Sequence, residues 1–215
     1  MASATATTDT AKPEQVREGK RERTKRENRE SILNAANEVF AEIGYGETTV
    51  RDIIRRTGLA SGTFYNYFKS KEEVFEALSD RSALRVRPRL RAVRVRAASF
   101  EDFVKETFFT FFDYVKSDRE YFDVMRRNTG AIRVRMDTPE IVAGFDELEA
   151  DVKEAMARGL LPKMDAEYLT AAMVGVAFEI ADTMIERDPI DPKAAAEFAS
   201  GIFLNGLTGM KNDNT

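Results

Sequence analysis

The stretch that decides the fold runs from Thr48 to Lys71 and reads T-T-V-R-D-I-I-R-R-T-G-L-A-S-G-T-F-Y-N-Y-F-K-S-K. Its first part predicts a short helix over about 50–57. Thr49 is a suitable N-cap, and Asp52 stands three residues later, where the carboxylate of a capping box belongs. A helix therefore begins directly after Thr49.

Gly58 ends this helix, because a C-cap position favours a residue that tolerates positive φ. A second short helix is predicted over about 61–68, with Phe64 and Phe68 one turn apart on its buried side. The remaining side chains of this second helix carry hydroxyl, amide or aromatic groups, and they are Ser61, Gly62, Thr63, Tyr65, Asn66 and Tyr67. Such groups can contact phosphates and read base edges. The alternative is that Tyr65 and Tyr67 only pack at the surface of a helical core.

Residues 32 to 78 resemble the N-terminal DNA-binding domain of the TetR family of bacterial transcriptional repressors. The resemblance rests on an amphipathic first helix ending in F-A-E-I-G-Y, on T-T-V-R-D-I, on the glycine turn, and on T-F-Y-N-Y-F-K-S-K-E-E. It implies that Thr49 and Arg51 approach the DNA backbone and that Lys71 pairs with a phosphate. It also implies that the polar side chains of the second helix face the major groove. The family commonly has serine where this chain has Ala60, so the cap is expected to shift to Ser61.

Composition excludes several kinds of chemistry. The 215 residues include no Cys and no His, which rules out thiol nucleophiles, disulfides, zinc fingers and Ser-His-Asp triads. Carboxylate catalysis remains open at this point. We expect no membrane-spanning apolar run and no signal peptide, and hence a cytoplasmic protein.

Charge is distributed unevenly along the chain. Residues 1–96 hold 20 Lys and Arg against 14 Asp and Glu, whereas residues 97–215 hold 13 against 23. The first half is therefore the part that can approach a polyanion. Residues 1–20 are expected to be mostly a disordered tail, since their start lacks apolar residues. The charged segment 16–29 is either a solvated helical lead-in or a basic arm that contacts phosphates.

Seven arginines lie between Arg81 and Arg96. We interpret residues 81–98 as a connector that follows a DNA-binding domain at 21–80, with Pro88 breaking or kinking any helix there. Its arginines are expected to pair with the acidic second half of the chain. The alternative is an additional phosphate-binding surface.

Residues 99–215 show helical periodicity throughout, so the predicted fold is all-α, with a three-helix helix-turn-helix domain followed by a larger helical domain. The last two helices are predicted at about 165–187 and 192–210 and contain small residues that allow close helix packing. The family dimerises through its last two helices, so the resemblance implies a homodimer. Two symmetric recognition helices would then enter successive major grooves.

The resemblance also implies an effector pocket in the region 99–215. Candidate lining residues form an aromatic and methionine-rich set, namely Phe108, Phe112, Phe122, Met125, Phe145, Met173 and Phe178. These residues suit a small hydrophobic or amphipathic effector, although such a set can equally be plain core. Arg126 could bind an anionic group. Glu179 and Asp182 could be counter-charges for arginines or contacts for a cationic ligand. No metal and no other cofactor is expected.

Together these features predict a ligand-responsive transcriptional repressor that binds a palindromic operator as a homodimer and is not an enzyme. One alternative is an activator, or a regulator controlled by a partner protein. A more distant alternative is a helical enzyme that uses Glu179 or Asp182 as a base.

Overall fold

The computed structural model describes residues 19–127 and 138–206. Within these residues the chain forms nine α-helices and no strand, which confirms the all-α prediction. The helices are α1 (Lys20–Ile43), α2 (Val50–Thr57), α3 (Ser61–Tyr65), α4 (Lys71–Arg96), α5 (Phe100–Ser117), α6 (Arg119–Arg127), α7 (Pro139–Ala157), α8 (Ala166–Ile185) and α9 (Pro192–Gly206). The predicted tail up to residue 18, and residues 207–210 of the predicted last helix, lie outside the described residues.

The first core, which we call the head, is built by α1, α2, α3 and the first turns of α4. Its apolar residues recur at helical spacing and are fully or almost fully buried, as Ile32, Phe40, Ile53, Phe64 and Phe75 illustrate. Tyr121 and Val124 of α6 belong to the same buried cluster. The head is therefore completed by a helix far from it in sequence.

Helix α4 is continuous through Pro88, so of the two predicted effects of this residue, a break or a kink, the break is wrong. Proline in a helix interior removes one backbone hydrogen bond and crowds the preceding turn. Tertiary contacts offset that cost, because α4 packs against both α5 and α7. Residues 81–96 are thus a rigid extension of the helix that begins in the head.

Ion pairs join this extension to α7. The Arg87 guanidinium group donates to Glu140 and, at 2.6 Å, to Glu147. Arg94 is 4% exposed and its Nε donates to Asp151 at 2.7 Å. Burial lowers the pKa of Arg94, and the Asp151 hydrogen bond opposes that change. These arginines of the basic run are paired with the acidic second half of the chain.

The second core, which we call the body, surrounds α5. Phe103, Phe108 and Phe112 are buried there, and the Phe108 ring lies 5.5 Å from the ring of Phe203 in α9. Helices α4, α7 and α8 pack around the same cluster. The aromatic residues of α5 therefore hold the body together.

By length and composition, α8 is apolar enough to cross a membrane, which corrects the expectation that the chain holds no such segment. The sequence pattern did not indicate such a segment because Glu179 and Asp182 interrupt the apolar residues of this helix. Core helices of proteins that never enter a membrane meet the same criterion. A third of the residues in its apolar window are buried in the single chain. Much of α8 thus remains available to a partner.

Candidate nucleic-acid interface and apolar cavity

The start of α2 is organised by Asp52. Its carboxylate accepts hydrogen bonds from the Thr49 backbone N–H at 3.0 Å and from the Thr49 hydroxyl at 2.6 Å. The hydroxyl bond is the main reason that the pKa of Asp52 lies below its usual value. Helix α2 ends at Gly58, whose φ of 69° is left-handed, as the sequence indicates.

Helix α3 is shorter than predicted, ending at Tyr65 instead of about residue 68. The Asn66 N–H donates to the Thr63 carbonyl at 3.2 Å and the Tyr67 N–H to the Phe64 carbonyl at 2.9 Å. Bonds to the third preceding residue tighten the backbone into a turn, which ends the helix. Phe64 and Phe68 are buried, so both the helix and the turn are anchored in the head.

The N-cap of α3 is Ala60, with no side-chain cap, so the expected shift of the cap to Ser61 does not occur. Ser61 is the first helical residue and Gly62 the second, and both are exposed. The first backbone N–H groups of a helix have no intrahelical acceptor. No side-chain oxygen caps them here.

Six of the residues predicted to contact DNA are exposed in and around α2 and α3, namely Thr49, Arg51, Ser61, Gly62, Tyr65 and Asn66. Tyr65 is 57% exposed even though its ring makes an edge contact with Phe64. Thr63 and Tyr67 are half-buried, and the Tyr67 hydroxyl accepts from the Asn28 amide at 3.4 Å. We call the six exposed residues together with Thr63 and Tyr67 the reading face.

Lys71 is half-buried, and its side chain folds back onto its own domain. Its ammonium group donates to the carbonyls of Tyr45, Gly46 and Thr48 at 2.7, 3.0 and 2.8 Å. An ammonium group has three N–H donors, so all three are used. The charge also lies 4.7 Å from the centre of the Tyr45 ring. Lys71 thus holds the 44–49 loop against α4. The family resemblance implied only a phosphate contact for this residue.

A basic groove lies beside the reading face. It is lined by Lys20, Arg21, Thr24 and Lys25 of α1 and by Asn66 and Tyr67. The basic segment 16–29 was the signal for this groove in the sequence. Spacing along the chain could not show that the segment reaches the turn after α3, because the contact joins residues about forty positions apart.

A cavity of about 350 Å³ lies in the body, between α4, α5, α6, α7 and α8. Nine of the ten side chains predicted for a pocket line it: Phe108, Phe122, Met125, Arg126, Phe145, Met173, Phe178, Glu179 and Asp182. Phe112 does not, because its ring is fully buried in the core and stacks on Phe108. The α4 residues Val86, Arg87, Leu90 and Arg94 also line the cavity and were missed, because that segment was interpreted as a connector.

Arg126 is the cavity residue of α6 that carries a charge, and carboxylates surround it. Its guanidinium group donates to Glu186 at 2.6 Å and lies 3.9 Å from Asp182 and 3.8 Å from Asp123. Burial is the main cause that raises the pKa of Asp182, with Arg126 opposing it. Asp182 is therefore a counter-charge for Arg126, one of the two roles that the sequence left open.

Helix α6 contributes to both cores. Tyr121 and Val124 are buried in the head core, and Phe122 and Met125 pack against it. The cavity is lined on this side by Tyr121, Phe122, Met125 and Arg126. The Phe122 ring makes edge contacts with both Tyr121 and Phe111. A molecule in the cavity would thus touch a helix that packs on the head.

Comparison with known proteins supports the interpretation of the head. Residues 32–78 match the family model of bacterial regulatory proteins of the tetR family. The fold is similar to that of the fatty acid degradation regulator FadR from Bacillus halodurans, with 24% identity, a TM-score of 0.72, and coverage of 84% of this chain and 96% of that one. A TetR-family transcriptional regulator from Syntrophomonas wolfei gives 18% identity and a TM-score of 0.74, with coverage of 88% and 99%. FadR from Bacillus subtilis, solved in complex with stearoyl-CoA, is 23% identical with a TM-score of 0.72. The match covers 82% of this chain and 98% of that one.

We expect the Lys71→Met variant to lose about 2 kcal/mol of unfolding free energy, since three loop carbonyls lose a charged donor. Lys69→Met is the matched control, because Lys69 is exposed two residues away and should change stability by less than about 0.5 kcal/mol. Urea unfolding followed by circular dichroism measures both. Unchanged stability together with weaker, less salt-dependent DNA binding would assign Lys71 to a phosphate instead.

Proposed function

We propose that this chain, a member of the TetR family of bacterial regulatory proteins by its matched head, is a ligand-responsive transcriptional repressor that binds a palindromic operator as a homodimer in the cytoplasm. The family and the similar structures are transcriptional regulators and not enzymes, so the enzyme alternative is dropped. The observation that carries the proposal is the reading face, which exposes hydroxyl, amide and aromatic groups on a rigid core.

DNA recognition follows from the way the reading face is supported. Phe64 is buried and fixes α3, so Tyr65 and Asn66 are presented from a rigid turn. Asn66 can read a base edge through its amide, and Tyr65 can stack or donate its hydroxyl. Thr49 and Arg51 at the start of α2 would set the register on the phosphate backbone. In this proposal the DNA-binding domain is 21–80.

The effector is proposed to be a small hydrophobic or amphipathic molecule in the cavity. Its walls are mainly aromatic and aliphatic, and the polar groups are few, as in sites for apolar ligands. Stearoyl-CoA in the similar FadR from Bacillus subtilis is one example of such a ligand in this fold. The effector-binding and dimerisation domain is 99–215, with α4 passing continuously from the head into the cavity wall.

Repression would be relieved by a population shift. Helices α4 and α6 each contribute residues both to the head and to the cavity lining. An effector that binds more tightly to one arrangement of these helices favours that arrangement, and the spacing of the two heads of a dimer changes with it. An operator of fixed half-site spacing then binds less well.

The dimer is proposed to form through α8 and α9. These helices leave large apolar side chains exposed in the single chain, with Tyr168 at 76%, Phe198 at 67% and Ile202 at 46%. Phe198 and Ile202 are one turn apart on α9 and so share a face. Contiguous exposed apolar residues of this kind are typical of protein interfaces.

Asn66→Ala is expected to weaken binding to DNA from upstream of the chain's own gene by about 1–3 kcal/mol, with little effect on a scrambled duplex. The loss is confined to the operator because an amide contact to a base edge carries sequence information. Fluorescence anisotropy on both duplexes measures it. Equal losses on the two would make Asn66 a backbone anchor, and a folded wild-type dimer that binds no such DNA in low salt would contradict the repressor proposal.

Ala177→Trp should abolish binding of the hydrophobic dye Nile red while operator binding is kept. Ala177 lines the cavity, and an indole ring there occupies space that a ligand needs. Ala150→Trp on exposed α7 surface is the matched control and should bind the dye like the wild type. Dye fluorescence in both variants tests the cavity, and undiminished binding to Ala177→Trp would place the hydrophobic site elsewhere.

Replacing both Phe198 and Ile202 by Asp is expected to convert a dimer into monomers, because four buried carboxylates per interface would lack partners. Size-exclusion chromatography with light scattering gives the mass. Leu84→Asp, at a residue of α4 that is 55% exposed, is the control and should leave the dimer intact. A double variant that remains dimeric would move the interface away from α9.

A further inference from the structure

The first turns of α1 carry a concentrated positive charge. They lie outside residues 32–78, the segment that matches the family model. Residues 20–29 contain six basic residues and two acidic ones: Lys20, Arg21, Arg23, Lys25, Arg26 and Arg29 against Glu22 and Glu27. The family model begins only at residue 32. This part of the helix therefore lies outside the segment that the comparison matched, and its role has to be inferred from the structure.

Three of these charges have no carboxylate partner among residues 19–127 and 138–206. Within the described residues, no ion pair involves Lys20, Arg21 or Lys25, and all three side chains are exposed. By contrast, Arg23 pairs with Glu27 at 3.5 Å. Positions 20, 21 and 25 lie within about 140° of one another around a helix of 3.6 residues per turn, so they form one side. We call Lys20, Arg21 and Lys25 the basic side of α1.

The basic side is held next to the reading face by two contacts. The Asn28 amide donates to the Tyr67 hydroxyl at 3.4 Å, and the Arg29 guanidinium group lies 5.5 Å from the centre of the Phe68 ring. The three basic residues line the same groove as Asn66 and Tyr67. A DNA strand that contacts Asn66 can thus continue directly along the basic side.

We propose that the basic side of α1 is a second DNA contact, which binds the phosphate backbone beside the bases read by α3. This rests on the proposed function of the reading face. From Lys20 to Lys25 the helix extends about 7.5 Å, which is about two steps of one strand at about 3.4 Å of axial rise each, the separation of three successive phosphates. Lysine and arginine bind phosphates without reading sequence, so the contact adds affinity for any DNA.

The test compares two triple variants of the full-length chain that remove the same charge. One is Lys20→Gln, Arg21→Gln and Lys25→Gln. The control is Lys116→Gln, Lys163→Gln and Lys193→Gln, at exposed lysines of the body. Operator and scrambled duplexes are titrated by anisotropy from about 50 to 200 mM salt.

The measured quantity is the slope of the logarithm of affinity against the logarithm of salt concentration. This slope should become shallower by about 2 to 3 in the first variant and stay unchanged in the control. Both duplexes should be weakened by similar factors. Trimming the duplex just outside the operator should weaken the wild type and leave the first variant unaffected. Matching melting curves show that the variants are folded.

A slope equal to that of the control would overturn the proposal. So would an unchanged slope with lost discrimination between the two duplexes, because the basic side would then contact bases. A folded dimeric wild type that binds neither duplex would remove the proposed function, and this inference with it. The reading face is confirmed independently if Asn66→Ala lowers specificity while the basic-side variant does not.

Discussion

Arg94 lies buried between α4 and α7, and its guanidinium group donates to the Asp151 carboxylate at 2.7 Å. A buried charge without its partner costs several kcal/mol, so the two helices have one favourable register. Two turns earlier in α4, Arg87 makes a second pair of contacts, with Glu140 and Glu147. Gly144 leaves room for the aliphatic part of Arg87, because a Cβ at position 144 would lie 3.3 Å from that side chain. The position of α4 in the body depends on these ion pairs, and so does the position of the head, which contains the first turns of α4.

The N-terminal end of α4 belongs to the head. Lys71 holds the 44–49 loop to the first turn of α4, while Val74 and Phe75 enter the head core. The same helix then forms a wall of the cavity through Val86 and Leu90. Under the proposed function, occupancy of the cavity and the orientation of the reading face would be coupled through this one helix. Such coupling would let a ligand in the cavity change DNA binding without touching the DNA.

The sequence was sufficient for the helix-turn-helix unit, because that unit depends on local signals, whereas the cavity and most of its lining were expected from the family resemblance. The capping residues Thr49 and Asp52, the glycine turn and the spacing of Phe64 and Phe68 each specify a conformation within a few residues. The role of Lys71 and the path of α4 through Pro88 could not be derived in this way. Lys71 bonds carbonyls more than twenty positions earlier in the chain, and α4 packs against α7 through ion pairs with residues about sixty positions later.

Helix α6 sets a limit on how far the head can be treated as a module. Tyr121 and Val124 are 5% and 0% exposed, and they fill part of a core whose other members end at Leu78. A fragment cut after α4 would expose the surface of α1 on which they pack. A chimaera that joined this head to another regulator's body would need an α6 of the same shape at that place. Because α6 also lines the cavity, a boundary between head and body would cut either the packing of α6 on the head or the α6 part of the cavity wall.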